Sequence, residues 1–515
     1  MNTWQRLVCG SLLLCGAVAV SCNENKTDPS QLADQGTGGS DDLAGGGGGS
    51  DDLAGGGGGG DMAQGMQDLV LADLTVPAPV LTGITPDKAA TTGGDSIQLA
   101  GTGFQVGATV TIDGQAATVT QTTPTMLTVT VPKARAGTKA KDKLVVVVRN
   151  PDTKTAMRAD LFSYFYGTVQ FAAGTAITVG SNPYAVAIAE LNNNAKLDLL
   201  VTNYFDNNVG FLLGNGDGTF GAMGTANTAM RPASLAVADF NNDTFLDAVS
   251  ADYSGYSVSV MLNDKLGRLG NGTSYALSAG ATSTLPLGID AKDVNGDTFV
   301  DVVTANGGSN DLTFFKGKAG AALEAPQTLT GNMVPHSVVL ADVDKNGTLD
   351  LVAVHENSGN AKVLLGDGKA AFTFKADAVI GGKPYEVVVG DFNGDGLPDL
   401  AVSLNSLNKV ALVPGNGDGT FKTAMMFDAG TQPWGLAAGD FNGDGVPDVV
   451  TTLNGENAVV PIVNKNGTLT ALTKLSTGMG PRGVAVGDLN GDGKPDFIVA
   501  NSSEKSVMVF LNTSQ

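Results

Sequence analysis

The chain is poor in the residues that most catalysis and most small disulfide scaffolds depend on. Its 515 residues include only two histidines, His336 and His355, and three cysteines, Cys9, Cys15 and Cys22. All three cysteines lie before residue 23, so nothing downstream can form a disulfide. If exported, the chain must be held by burial, size or metal. Neither H-E-x-x-H nor G-x-S-x-G occurs. Charged residues make up only 16%, and bases are outnumbered, 30 against 51 acids, for a net charge of −21. Such an acidic chain is a poor nucleic-acid binder. The apolar run from Leu7 to Val20 is too short to span a bilayer.

Glycine, in contrast, is abundant, with 71 residues, and one acidic pattern recurs. Low charge with many glycines suits an all-β protein rich in tight turns. The clearest copy of the pattern has Asp391, Asn393, Asp395 and Asp399 at positions 1, 3, 5 and 9, with Gly396 at position 6. Three carboxylates and an amide on a sharp turn suit Ca²⁺, which takes six to eight oxygens at about 2.3–2.6 Å. An EF-hand would need a glutamate at position 12. Val402 stands there and β-type residues follow, so the loop joins strands.

Close copies are Asp440, Asn442, Asp444 and Asp448; Asp488, Asn490, Asp492 and Asp496; and Asp342, Asp344, Asn346 and Asp350. Looser ones are Asp239, Asn241, Asp243 and Asp247; Asp293, Asn295, Asp297 and Asp301; and a first copy starting at Glu190. The starts lie 49, 54, 49, 49, 49 and 48 residues apart, which marks a repeat architecture. Each repeat holds short apolar runs separated by turn residues. Four short strands in such a repeat make one propeller blade.

These units resemble the FG-GAP/VCBS repeats of the integrin α-chain propeller and of many bacterial surface proteins. The resemblance spans residues 166–515 and implies a seven-bladed β-propeller with calcium between the first and second strands of each blade. About four to six structural Ca²⁺ sites are expected. Blades four to seven should bind most tightly and blade one least. Thr244 and Thr298 occupy position 6 in blades two and three, where a β-branched residue at positive φ is strained. The alternative is hydrogen-bonded Asx turns without metal. The extra apolar segment at 168–179 should supply the outer strand of the last blade and close the ring.

The rest of the chain falls into three parts. Residues 1–21 read as a signal peptide, and Ala19-Val20-Ser21-Cys22 resembles a bacterial lipoprotein cleavage box. That resemblance implies a lipid on Cys22 and a place at the bacterial envelope, at the outer membrane or cell surface. The alternative is an ordinary signal peptide with an incidental cysteine. Residues 22–77 read as a Gly/Asp-rich disordered tether, with a short helix within 61–74. Residues 78–165 show apolar alternation at Val80–Ile84, Ser96–Leu99, Thr109–Ile112, Met126–Val131 and Leu144–Val148. With Gly93-Gly94-Asp95 and Gly101-Thr102-Gly103-Phe104, they resemble the IPT/TIG immunoglobulin-like family, which implies a binding or spacer β-sandwich. Its basic run, Lys133, Arg135, Lys139, Lys141 and Lys143, reads as a solvated loop or as a contact for the acidic propeller or an anionic polymer.

A proline stands seven residues before each loop, at Pro183, Pro232, Pro286, Pro335, Pro384, Pro433 and Pro481, and the residue after it varies: Tyr184, Ala233, Leu287, His336, Tyr385, Trp434 and Arg482. One strand separates this turn from the acidic loop, so the two lie on opposite faces. Tyr204, Tyr253, Tyr256 and His355 should share the proline face. A repeated frame with a variable aromatic rim reads either as a binding face, with Tyr184, His336, Tyr385, Trp434 and Arg482 as its contacts, or as rings capping the channel. The expected function is a surface-tethered, calcium-stabilised binding or adhesion protein for an extracellular glycan or protein. It would touch membrane only through its lipid and would not bind nucleic acid. Alternatives are a scaffold subunit of an envelope assembly and a polysaccharide-acting enzyme.

Overall fold

The computed structural model describes residues 77–135, 138–278, 283–329 and 334–515. The expected signal peptide, Cys22, and the tether with its short helix lie outside the described residues. The described chain is all-β; its one helical element is a three-residue 3-10 turn, Asn405–Leu407.

Alternating apolar residues build the first body. Strands Val80–Thr85, Ser96–Thr102, Thr109–Ile112, Met126–Thr130 and Val146–Arg149 form where the alternation predicts. Every second side chain turns inward, so Ile97, Leu99, Val110, Ile112, Leu127, Val129, Val146 and Val148 meet in one core. The strand Gln115–Thr122 was not legible, because it contributes no fully buried residue. Its first half pairs with Thr109–Ile112 and its second with Met126–Thr130, across a bulge between Val119 and Gln121. One strand thus serves both layers of an immunoglobulin-like sandwich. Phe162 and Tyr164 meet edge to face at 5.3 Å within the core, and the Tyr164 hydroxyl donates to the Pro132 carbonyl at 2.8 Å.

Seven antiparallel blades follow, and their first strands begin at Pro183, Pro232, Pro286, Pro335, Pro384, Pro433 and Pro481. Each first strand packs on the first strand of the next blade, and that of blade seven packs on that of blade one. The second strands, such as Asp399–Leu404, are buried along their whole length because neighbouring blades cover both faces. Thr175–Thr178 pairs with Ser506–Phe510, setting Ile177 opposite Val507. The outer strand of blade seven therefore comes from the segment before blade one, as expected, and the ring has no free edge where it closes.

All seven first strands carry one extra residue just after the proline. In blade five the register slips between Pro384 and Val387, and the other blades slip at the same place. A bulge there turns the following side chain out of the sheet's regular alternation.

Candidate functional site

The acidic loops share one internal geometry. In blade five the first carboxylate, Asp391, accepts the backbone N–H of Asp395 at 3.1 Å and of Gly396 at 2.8 Å. Asn393 Oδ1 accepts Asp395 N–H at 2.8 Å, and Asp395 Oδ1 accepts Leu397 N–H at 2.9 Å. Position 6 has positive φ in every blade, including Thr244 at 76°, Thr298 at 75° and Ala195 at 64°. The strain expected in blades two and three is present in the backbone.

Position 9 does more than the sequence reading assigned to it. Asp399 accepts Phe392 N–H at 3.0 Å with one oxygen and Gly415 N–H at 2.8 Å with the other. Asp198, Asp247, Asp301, Asp350, Asp448 and Asp496 make the same pair of bonds. Each ties its loop to the exit of the third strand. Burial pushes Asp399 and Asp301 up to about 6 and Asp247 and Asp496 up to about 7, while the donated N–H groups pull the other way.

The loops differ in the cations beside them. Asp342, Asp344 and Asp350 bring carboxylate oxygens within 4.8 Å of one another, and no other such trio occurs among the described residues. Lysines stand elsewhere: Lys265 is 3.4 Å from Asp243, Lys316 is 3.3 Å from Asp297, and Lys422 is 3.9 Å from Asp395. In blade six the cation comes from the sandwich, with Lys141 Nζ 2.6 Å from Asp440 Oδ2. Lys88 Nζ donates to the Asp444 carbonyl, and Tyr166 N–H donates to the Asn442 carbonyl at 2.6 Å. At Lys141 the basic run therefore contacts the acidic propeller.

On the opposite face the variable residues converge. Ring centroids lie 5.4 Å apart for Tyr184 and Tyr204, 6.5 Å for Tyr184 and Trp434, 4.5 Å for Trp434 and Tyr385, and 4.3 Å for Tyr385 and His336. Arg482 sits between Tyr184 and Trp434, its guanidinium carbon 4.3 and 4.2 Å from their centroids. All five predicted contact residues thus fall in one half-buried cluster at the channel mouth. The cluster is held from behind. His336 Nδ1 donates to the Tyr385 carbonyl at 2.8 Å, Ser403 Oγ to the Trp434 carbonyl at 2.7 Å, and Thr452 Oγ1 to the Arg482 carbonyl at 2.6 Å. In each case one blade fixes the backbone of the next. Burial lowers His336 to about 4 and raises Tyr184 to about 12.

The loops between second and third strands share this face. Backbone N–H groups of Tyr204, Tyr253, Gly307, Glu356, Asn405, Asn454 and Ser502 donate to the carbonyls just before the seven prolines. Tyr253 joins the cluster at 6.1 Å from Tyr204. His355 does not belong to the rim. It ends the second strand of blade four opposite Pro335 and is 2% exposed, so it is part of the sheet. Phe205, Arg231 and Glu386 also belong here, and the sequence reading missed them. Arg231 lies over Tyr204 and Phe205 at 5.7 and 6.0 Å. Glu386 follows Tyr385, where other blades carry only Ala185, Ser234, Gly288, Ser337, Gly435 and Gly483. That contrast was the available signal. Ser337 Oγ donates to Glu386 at 2.6 Å, and burial raises the carboxyl to about 7.

Comparison with known proteins follows this division. Residues 79–164 match the IPT/TIG domain. No curated protein matches the chain in sequence. Among solved structures, BBS1N in complex with ARL6DN aligns at TM-score 0.47 and 11% identity, over 66% of this chain and 96% of that one. An auxiliary nutrient binding protein from Bacteroides ovatus aligns at TM-score 0.39 and 12% identity, over 85% of this chain and 99% of that one. A catalytically inactive virginiamycin B lyase from Staphylococcus aureus aligns at TM-score 0.46 and 12% identity, over 66% and 99%. Six overlapping or adjoining matches to the FG-GAP-like repeat, at 191–250, 239–304, 293–353, 349–402, 391–451 and 452–499, run through more than half of the chain, which therefore belongs to the FG-GAP-like repeat family.

Proposed function

We propose that this chain is a calcium-stabilised binding protein, lipid-tethered at Cys22 to a bacterial envelope, that presents its channel mouth to an extracellular glycan or protein. The observation that carries the reading is the convergence of Tyr184, His336, Tyr385, Trp434 and Arg482 on a frame that is otherwise repeated. Half-buried aromatic faces beside polar groups, fixed by hydrogen bonds from the neighbouring blade, form a site organised before a ligand arrives. The role is binding rather than catalysis.

The acidic loops suit calcium by their donors. Positions 1, 3, 5 and 9 offer hard oxygens, and the Asp342, Asp344 and Asp350 trio gathers three carboxylates at one point. Bound calcium would neutralise the clustered charge and stiffen the turn between first and second strands. The blade-four and blade-seven loops have no lysine ion pair among the described residues, so they should bind most tightly.

Glycan and peptide arrays probed with and without calcium test the reading. Capture by the wild type should be lost in the Trp434→Ala, Tyr385→Ala double variant. Undiminished capture by that variant would remove the channel mouth as the site.

A further inference from the structure

We propose that the channel mouth takes a carboxylate-bearing saccharide, with Arg482 as the residue that pairs with the carboxylate. This rests on the mouth being a binding face and adds the chemical class of its ligand.

Arg482 is mounted but not neutralised. Its guanidinium packs against two rings set at 83° to each other, and Nε donates to Ser502 Oγ at 3.1 Å. Among the described residues no carboxylate forms an ion pair with it. That is unexpected in a chain with 51 acids. The acids on this face have partners of their own. Glu356 pairs with Lys383 at 2.8 Å, Glu456 pairs with Lys474, and Asp206 accepts Ser181 N–H at 2.7 Å. Arg231 lies over Tyr204 and Phe205 at 5.7 and 6.0 Å on the next stretch of rim, also without an ion pair among the described residues.

A guanidinium packed against two rings and anchored at Nε loses hydration and keeps its terminal fork of N–H donors in place. That geometry matches a carboxylate, which can accept two parallel bonds. The surrounding rings offer faces for the C–H side of a pyranose. A neutral sugar would use the rings and leave the guanidinium unsatisfied. An acidic sugar uses both.

The test compares a hyaluronan hexasaccharide with its carboxyl-reduced counterpart by calorimetry on the full chain in calcium. The inference predicts that the acidic form binds about ten-fold or more tightly than the neutral one. Arg482→Gln should erase that preference, and Arg482→Lys, which keeps the charge without the fork, should keep part of it. Equal binding of both sugars by the wild type overturns the inference and leaves the binding face standing. A preference that survives in folded Arg482→Gln also overturns it. Binding of neither sugar removes the saccharide class altogether, and array capture that still depends on Trp434 would then show the face itself to be sound.

Discussion

Lys141 of the sandwich places its ammonium nitrogen 2.6 Å from Oδ2 of Asp440, the first carboxylate of the blade-six loop. The same oxygen accepts Gly445 N–H at 2.8 Å. A cation from one domain thus stands where the other domain's repeat pattern offers a metal ligand. The lysine is 47% exposed and the aspartate 9%. Removing the pair should change stability by less than about 1 kcal/mol, as for other solvent-screened pairs. The larger effect should be on metal. Lys141→Met should raise calcium affinity at blade six and leave the other sites as they are. Calcium titration calorimetry of the two proteins checks this, and identical isotherms would show that the lysine and the ion do not compete.

The position-9 aspartates act as clips without any ion. In Asp399→Asn the amide NH₂ replaces one acceptor, and either Phe392 N–H or Gly415 N–H then faces a donor. The expected loss is about 2 kcal/mol, the cost of an unsatisfied buried group. Urea unfolding in excess chelator isolates this term. Full stability there would mean that the carboxylate matters only as a metal ligand.

Strain at position 6 should be removable. Thr298 is exposed and has φ 75°, so glycine there loses little packing and relieves about 1 kcal/mol or more of backbone strain. The gain is partly offset by the greater freedom of glycine in the unfolded chain. Thr298→Gly should therefore raise the melting temperature slightly and tighten calcium binding at blade three. A lower melting temperature would contradict the strain argument.

Glu386 should give the propeller a pH dependence. Its carboxyl rises from an ordinary 4.5 to about 7 on folding, chiefly through burial. Between those values the folded chain holds a proton that the unfolded chain has released. Stability therefore falls as pH rises from about 4.5 to about 7, and the penalty is complete above that. Glu386→Gln keeps an acceptor for Ser337 Oγ and should make this slope shallower, the part due to the raised position-9 aspartates remaining. Melting curves across that range compare the two, and parallel slopes would exclude Glu386 as their source.

Much of this architecture was written in the sequence because it repeats. The acidic loops mark the blades, and the segment 168–179 was visible as an apolar run with no blade of its own. The variable residues after the prolines were also visible, but not the bulge that turns them into one cluster. Three relationships were not legible, for physical reasons. Lys141 and Asp440 are about 300 residues apart, and the contact depends on where the sandwich rests. The two bonds of each position-9 carboxylate depend on a third strand that exits beside the loop. His355 looked like a rim residue because of its loop-like neighbours, but its pairing with Pro335 places it inside the sheet.

The central claim is that the acidic loops hold the blades while the opposite face does the binding. Two double variants separate these roles: Trp434→Ala with Tyr385→Ala, and Asp391→Asn with Asp395→Asn. Ligand capture and calcium-dependent melting should be measured on both. The first pair should lose capture and keep the calcium-induced rise in melting temperature. The second should lose part of that rise and keep capture at temperatures where it is folded. The reverse pattern would contradict the account.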